Sequence, residues 1–175
     1  MPEQAERIAF VVEGDADKAV VESLAKRIWQ TPPERVHTVR LGGRAAVPWL
    51  WATVLTLLDE KHYNHVVVLL DADTADGEKA ADRVEELKAE LLKHRITDDS
   101  VSIFLAVPEL EAWLLAATEE NPEVPGAKQR LRAALPEATS PDELARLASK
   151  LNLREARRRS PSLNTFLSAL ESLHR

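Results

Sequence analysis

Apolar stretches rich in valine, isoleucine and leucine alternate along the chain with amphipathic stretches. The predicted strands are the apolar stretches 7–12, 35–41, 64–70 and 100–107. Between them, apolar residues recur at spacings of three and four. This spacing predicts a first helix that follows residues 13–15 and stops before Pro32, and two more helices from about 47 to 61 and 76 to 95. Strands that alternate with helices predict an α/β fold with a mainly parallel, four-stranded sheet covered by helices.

The third predicted strand ends abruptly in carboxylates. Residues 66–70 form an uninterrupted apolar run, as expected for a strand buried on both faces of a parallel sheet. Asp71 and Asp73 follow directly. If the chain stays extended there, these two side chains share a face and can approach one cation together. We expect Asp76 to cap the next helix, a role that could also explain Asp73 but not Asp71.

The chain changes character after Pro108. Residues 109–117 predict a short helix, and residues 122–126 a linker. Ser140 and Ser160, each followed by proline, are typical of residues that cap the amino terminus of a helix. We therefore divide the chain into an α/β domain, residues 1–118, and a helical C-terminal extension, residues 119–175, that packs on it.

Composition narrows the chemistry that this chain can perform. The 175 residues include no cysteine, which excludes a disulfide framework, a thiolate metal site and a catalytic cysteine. A formal charge of -6 argues against a generally cationic nucleic-acid binder but leaves a local basic patch open. No apolar run approaches the roughly 18 residues of a membrane span, and the first residues are polar and acidic. We expect a cytoplasmic protein without a membrane partner.

Carboxylates follow three of the four predicted strands. Glu13 follows the first, Asp71 and Asp73 the third, and Glu109 and Glu111 the fourth. The carboxyl ends of parallel strands meet at one edge of a sheet, where ligands of such folds bind. Two like charges about 4 Å apart cost on the order of 4 kcal/mol at an effective dielectric of 20, so a divalent cation would relieve their repulsion. Oxygen ligands alone favour Mg²⁺ or Mn²⁺ over zinc.

The order of these residues resembles the Toprim family, which includes bacterial primases, topoisomerases and the OLD-family nucleases. Glu13-Gly14 after one strand and Asp71-Ala72-Asp73 after a later one carry the resemblance. It covers about two thirds of the chain. The segment 107–115, with proline, two acids, tryptophan and leucine, is similar to one in small stand-alone Toprim-like proteins. An arginine-rich stretch followed by Ser-Pro-Ser, residues 157–162 here, also recurs in them.

The resemblance implies a role for each matching residue. Glu13 would be the Toprim glutamate, either a metal ligand or the general acid or base. Asp71 and Asp73 would hold Mg²⁺, and Glu111, or less readily Glu109, would complete a second metal site. Gly14 would let the backbone approach a phosphate, although an ordinary turn glycine explains it almost as well.

Basic residues of the C-terminal extension are candidates for nucleic-acid contacts. Arg157, Arg158 and Arg159 precede a predicted helix start and could bind phosphate, but a solvated charged face explains them about as well. The only tyrosine, Tyr63, lies before the third strand, which argues against a topoisomerase.

The leading functional hypothesis is a Mg²⁺-dependent endonuclease that uses one or two ions, with DNA a better candidate substrate than RNA. Resemblance to the nuclease half of defence systems implies a separately encoded ATPase partner. The alternatives are a non-catalytic module that binds metal or nucleotide and acts through that partner, and a different phosphotransfer reaction. A homo-oligomer is left open.

Overall fold

The four apolar stretches form one parallel sheet. A computed structural model describes residues 7–30, 35–42 and 47–173, without the side chains of residues 35, 47 and 48. The strands are β1 (Arg7–Val12), β2 (Arg35–Arg40), β3 (His65–Asp71) and β4 (Val101–Ala106). All pairings are parallel, in the order β2-β1-β3-β4. The predicted α/β class is therefore confirmed, and β3 and β1 are the two central strands.

Helices connect the strands and form the whole C-terminal region. They are α1 (Asp15–Ile28), α2 (Val47–Leu55), α3 (Gly77–Lys93), α4 (Glu111–Leu115), α5 (Ala127–Ala134), α6 (Pro141–Lys150), α7 (Leu153–Arg159) and α8 (Pro161–Leu173). A π-helical turn, Thr56–Glu60, continues α2. Asp76 and Ser140 cap α3 and α6 as predicted, because their side chains accept hydrogen bonds from backbone N–H groups of the first turn.

The helices after β4 differ from the prediction in two respects. The helix expected over residues 109–117 is only the short α4, and neither α5 nor α7 was predicted. Both unpredicted helices are short, at 8 and 7 residues. A helix of about two turns shows too few apolar repeats to stand out in a sequence, and its stability depends on tertiary packing.

The sheet is buried on both faces, which explains the uninterrupted apolar runs in its central strands. Alternate side chains of β1 and β3 point to opposite faces. Phe10 and Val67 face a core that includes α1, α4 and the C-terminal helices. Val11 and Val68 face a second core formed with α2 and α3.

The C-terminal helices share the first of these cores. Phe166 of α8 contacts Phe104 of β4 edge to face, at 5.5 Å between ring centroids, and Trp113 of α4 at 5.1 Å. Arg27 of α1 donates hydrogen bonds to the carbonyl oxygens of Ala148 and Leu151, at 2.8 and 2.7 Å. The helical region is therefore packed against the sheet and α1. The boundary drawn at residue 118 stays a prediction, and residues 1–6, 31–34, 43–46 and 174–175 of the two units lie outside the described residues.

Two of the motifs that suggested the family resemblance contact each other. The indole N–H of Trp113 donates to the hydroxyl of Ser162 at 2.8 Å. The same hydroxyl accepts from the Val107 N–H at 3.3 Å and donates to the carboxylate of Glu123 at 2.5 Å. Glu123 also accepts from the hydroxyl of Ser160. These hydrogen bonds fix the end of β4 and the start of α4 against α8.

No helix in the described ranges is both long enough and apolar enough to cross a bilayer.

A matched pair of leucines tests whether α8 belongs to the core of the sheet. Leu167 of α8 is fully buried, whereas Leu92 on α3 is 62% exposed. We expect Leu167→Ala to lower the free energy of unfolding by about 2 to 5 kcal/mol and Leu92→Ala by less than about 0.5 kcal/mol. Urea denaturation followed by circular dichroism measures both values. Equal losses in the two variants would contradict this packing.

Candidate functional site

Asp71 links three strand ends. It is the last residue of β3, and its carboxylate Oδ1 accepts a hydrogen bond of 2.9 Å from the Leu110 N–H at the start of α4. Its own backbone N–H donates to Oε1 of Glu13, 3.3 Å away, directly after β1. Because β3 lies between β1 and β4, one residue connects the carboxyl ends of all three strands. Glu13 therefore points toward Asp71, as the sequence predicted.

Two further carboxylates complete what we call the carboxylate cluster, consisting of Glu13, Asp17, Asp71 and Glu111. Asp17 lies on the first turn of α1 and accepts a hydrogen bond of 2.9 Å from the Gly14 N–H. Glu111 is the first residue of α4. All four residues are half-buried. Asp17 and Glu111 both lie close enough to Asp71 to act on it electrostatically.

Burial and mutual repulsion make the cluster hard to ionise. Burial, together with the negative charges of Asp17 and Glu13, raises the pKa of Asp71 to about 8, although the hydrogen bond from Leu110 opposes this shift. Burial also raises the pKa values of Glu13, Asp17 and Glu111. The cluster thus brings together four acids whose ionised forms are disfavoured by burial.

Lys128 acts electrostatically on two carboxylates of the cluster. Its positive charge lowers the pKa values of Asp17 and Glu111, partly offsetting their burial. A small cleft of about 90 Å³ lies among α1, α4, α5 and α6 and is lined by Glu111, Lys128 and Arg132, among other residues. Lys128 and Arg132 are exposed, and within the described part of the chain neither forms a salt bridge. Two cations therefore stand beside the cluster and remain accessible to a ligand.

Asp73 does not follow the expected extended geometry. Its φ of 56° lies in the left-handed region, so the chain turns away from the strand direction after Ala72. Its side chain is 74% exposed and lies 3.4 Å from Arg83. Arg83 also donates to the carbonyl oxygens of Asp71 and Ala72, at 2.9 and 3.0 Å. Asp73 thus lies at the rim, although its charge still raises the pKa of Glu13.

Glu109 and Gly14 have structural partners. Glu109 accepts a hydrogen bond of 2.9 Å from the Lys128 N–H and so caps the amino terminus of α5. Its charge contributes to the raised pKa of Glu111. Gly14 precedes α1 with a φ of -149°, which any residue can adopt, and its N–H is bonded to Asp17. The structure therefore gives Gly14 a helix-capping position.

The three arginines predicted to bind nucleic acid make contacts within the protein. Arg157 pairs with Glu171, at 2.5 Å, and Arg158 pairs with Glu155, at 2.9 Å. Arg159 donates to the carbonyl oxygens that follow α4, including that of Ala117 at 2.8 Å. The side chains of Arg157 and Arg159 are 26% and 19% exposed. These two arginines hold α7 against α4 and α8, and they lie outside the carboxylate cluster.

No closed metal site is preformed among the described residues, since no group of three or more His, Cys, Asp or Glu side chains there could hold a metal ion as it stands. The four carboxylates of the cluster therefore lie near one another on fixed backbone positions, but they do not form a complete coordination shell.

The sequence interpretation missed Asp17 and did not place Lys128 beside the site. Asp17 lies four residues after Glu13, which on the first turn of a helix returns its side chain to the strand end. That spacing could have identified it. Lys128 lies on the unpredicted helix α5, and its place beside Glu111 depends on how α5 packs on α4.

A family model matches residues 12–146, most of the chain and all four residues of the cluster. The chain belongs to DUF4276, a domain family of unknown function. The matched segment of this DUF4276 chain extends from the end of β1 to α6 and includes Lys128. Neither a curated protein nor a solved structure matches the chain significantly.

The raised pKa of Asp71 predicts that stability falls as pH rises. Between about pH 4 and pH 8 the folded protein binds a proton at Asp71 that the unfolded chain has lost, so the free energy of unfolding decreases with pH. Asp71→Asn removes this contribution and keeps an acceptor for the Leu110 N–H. We expect the variant to gain melting temperature over the parent at about pH 8 and much less at about pH 5.

Differential scanning calorimetry at both pH values measures the effect. The matched control is Asp82→Asn, on the exposed surface of α3. A gain for Asp71→Asn that is the same at both pH values, or no larger than that of the control, would refute the raised pKa.

Proposed function

We propose that the carboxylate cluster binds Mg²⁺ or Mn²⁺ and that the protein hydrolyses phosphodiester bonds in nucleic acid, with DNA the better candidate substrate. The observation that carries this proposal is the pair of hydrogen bonds that Asp71 makes with Glu13 and with the Leu110 N–H. They bring Glu13 and the start of α4 together at the carboxyl edge of the sheet. The Toprim resemblance of these residues supports the same reaction.

The donor set fits a hard divalent cation. The cluster offers only carboxylate oxygens, and such ligands suit Mg²⁺ and Mn²⁺. Burial raises the pKa values of all four acids of the cluster. At Asp71, whose pKa is raised to about 8, a cation would replace the proton that the folded protein otherwise retains. Glu13, Asp71 and Glu111 would hold it, with Asp17, Asp73 and Glu109 able to contribute. Since these side chains form no closed set, we expect metal binding to draw them together.

A bound divalent ion would polarise the phosphodiester and stabilise the charge that develops during its hydrolysis. The protein's own residues supply orientation. Strand ends fix Glu13 and Asp71, and the hydrogen bond from Leu110 fixes which way the Asp71 carboxylate faces. Lys128 and Arg132 lie beside Glu111 at the exposed rim, where they can bind the phosphates of an extended polyanion.

A second candidate is a non-catalytic module that binds metal or nucleotide and acts through a separately encoded ATPase. The formal charge of -6 favours this candidate, because a nuclease that works alone usually needs more positive surface. In that case a divalent ion raises the melting temperature without cleavage of any nucleic acid.

A cleavage assay tests the proposed reaction. Plasmid DNA, single-stranded DNA and RNA are incubated with the protein in Mg²⁺, Mn²⁺ or EDTA. We expect cleavage that needs the metal and that falls by at least about 100-fold in Glu13→Gln and Asp71→Asn, since ligands to the ion are lost. Asp82→Asn serves as the control and should cleave as the parent does.

Cleavage that survives in both cluster variants would show that another site, or a contaminant, is responsible. No cleavage by the parent with any metal or substrate would reject the nuclease and leave the binding module.

Lys128 provides a test of substrate contact that does not alter the carboxylates. Lys128→Met removes one cation at the rim, so we expect weaker DNA binding at every sequence and a smaller dependence on salt, by about one released counterion. Fluorescence anisotropy over a range of salt concentrations measures both. Lys150→Met, at the exposed end of α6, is the matched control. An unchanged salt dependence in Lys128→Met would exclude a phosphate contact there.

A further inference from the structure

A second pocket lies at the amino-terminal edge of the sheet, away from the carboxylate cluster. It has a volume of about 420 Å³ and is bounded by the start of β1, by β2 and by the end of α2. Its polar lining comes from Arg7, His37, Thr53, Thr56, Lys61 and Tyr63. None of the residues that line this pocket belongs to the carboxylate cluster, so the pocket and the cluster are distinct. Its volume falls in the range of small-molecule sites, about 300 to 1,000 Å³.

Arg7 is held rigidly at this pocket. Its backbone exchanges two hydrogen bonds of 2.8 Å with Asn64, one to the side chain and one from the main chain. Its guanidinium lies over the ring of Tyr63, 4.6 Å from the centroid, and donates to the carbonyl oxygen of His62 at 3.3 Å. Nε of Arg7 is buried and has no hydrogen-bond partner within the described residues. The guanidinium of Arg7 therefore keeps donor capacity that the described residues do not use.

The π-helical turn shapes the opposite wall. The Lys61 N–H donates a hydrogen bond of 3.0 Å to the carbonyl oxygen of Thr56, and the Tyr63 N–H donates one of 3.0 Å to that of Leu57. His62 then adopts a positive φ of 56°. These irregular turns place Lys61 and Tyr63 at the pocket, where a regular continuation of α2 would carry the chain past it. Single π-helical turns occur frequently at functional sites.

The charge of the lining identifies the kind of ligand. Arg7 and Lys61 are cationic, and no carboxylate lines the pocket within the described residues. Val39 and Leu57 supply an apolar wall beside these cations. A ligand that satisfies both parts has an anionic group and a compact apolar or aromatic body. Phosphate suits Arg7 well, because a planar guanidinium presents several donors at once.

We propose that this pocket binds a small organic phosphate of about mononucleotide size, with the phosphate at Arg7 and Lys61 and the organic part along Val39, Leu57 and Tyr63. The site is independent of the carboxylate cluster and does not rest on the proposed nuclease activity.

Isothermal titration calorimetry with adenosine 5′-monophosphate, adenosine and inorganic phosphate tests the proposal on the full chain. We expect the monophosphate to bind at least about tenfold more tightly than adenosine or inorganic phosphate. Phosphate alone contacts only the cationic side of the pocket, and adenosine alone contacts only the apolar side. Lys61 is exposed and can be changed without disturbing the core. Lys61→Gln should weaken binding of the monophosphate by about fivefold or more, whereas Lys93→Gln, an exposed control on α3, should not.

Asp71→Asn should bind the monophosphate as the parent does, because the two sites are separate. No binding of the monophosphate, binding no tighter than that of phosphate or adenosine alone, or equal affinity in the parent and Lys61→Gln would each overturn the proposal. Loss of binding in Asp71→Asn would place the nucleotide at the carboxylate cluster and overturn it as well.

Discussion

A carboxylate at the end of a doubly buried strand is the constraint around which this site is built. Asp71 ends β3 between two other strands, so its backbone cannot move without disturbing both cores. Asp71 donates a backbone hydrogen bond to Glu13 and accepts one from the Leu110 N–H, and these two bonds fix the neighbouring strand ends relative to one another. The cost is electrostatic, because burial and neighbouring acids raise the pKa of Asp71 to about 8. Unfavourable charge of this kind is typical of sites whose function requires it.

The C-terminal helices position the rest of the site. Trp113, two residues after Glu111, donates a hydrogen bond to the hydroxyl of Ser162. That hydroxyl donates in turn to the carboxylate of Glu123. Lys128 reaches the site because Glu109 caps the helix that carries it. The motifs around Trp113 and Ser162, which carry part of the family resemblance, therefore orient α4 against the sheet. Arg157 and Arg159 contribute to the same packing.

Much of the fold and part of the site could be predicted from the sequence. The run that precedes Asp71 identified a central strand, and parallel topology then placed Glu13 beside Asp71. Local patterns could not show that the chain turns at Asp73, because one left-handed residue leaves no periodic signal. They could not reveal the surroundings of Lys128, which depend on a short helix stabilised by packing. Nor could they decide whether Arg157 faces solvent or Glu171, because that contact joins α7 to α8.

The central claim is that the carboxylate cluster binds a divalent cation. Titration of the protein with Mn²⁺, followed by the electron paramagnetic resonance signal of the free ion, measures this binding directly. Saturable binding in the parent, with one or two ions per chain, should be lost in Glu13→Gln and in Asp71→Asn and kept in Asp82→Asn. Equal Mn²⁺ binding by all four proteins, or no saturable binding by the parent, would contradict the account.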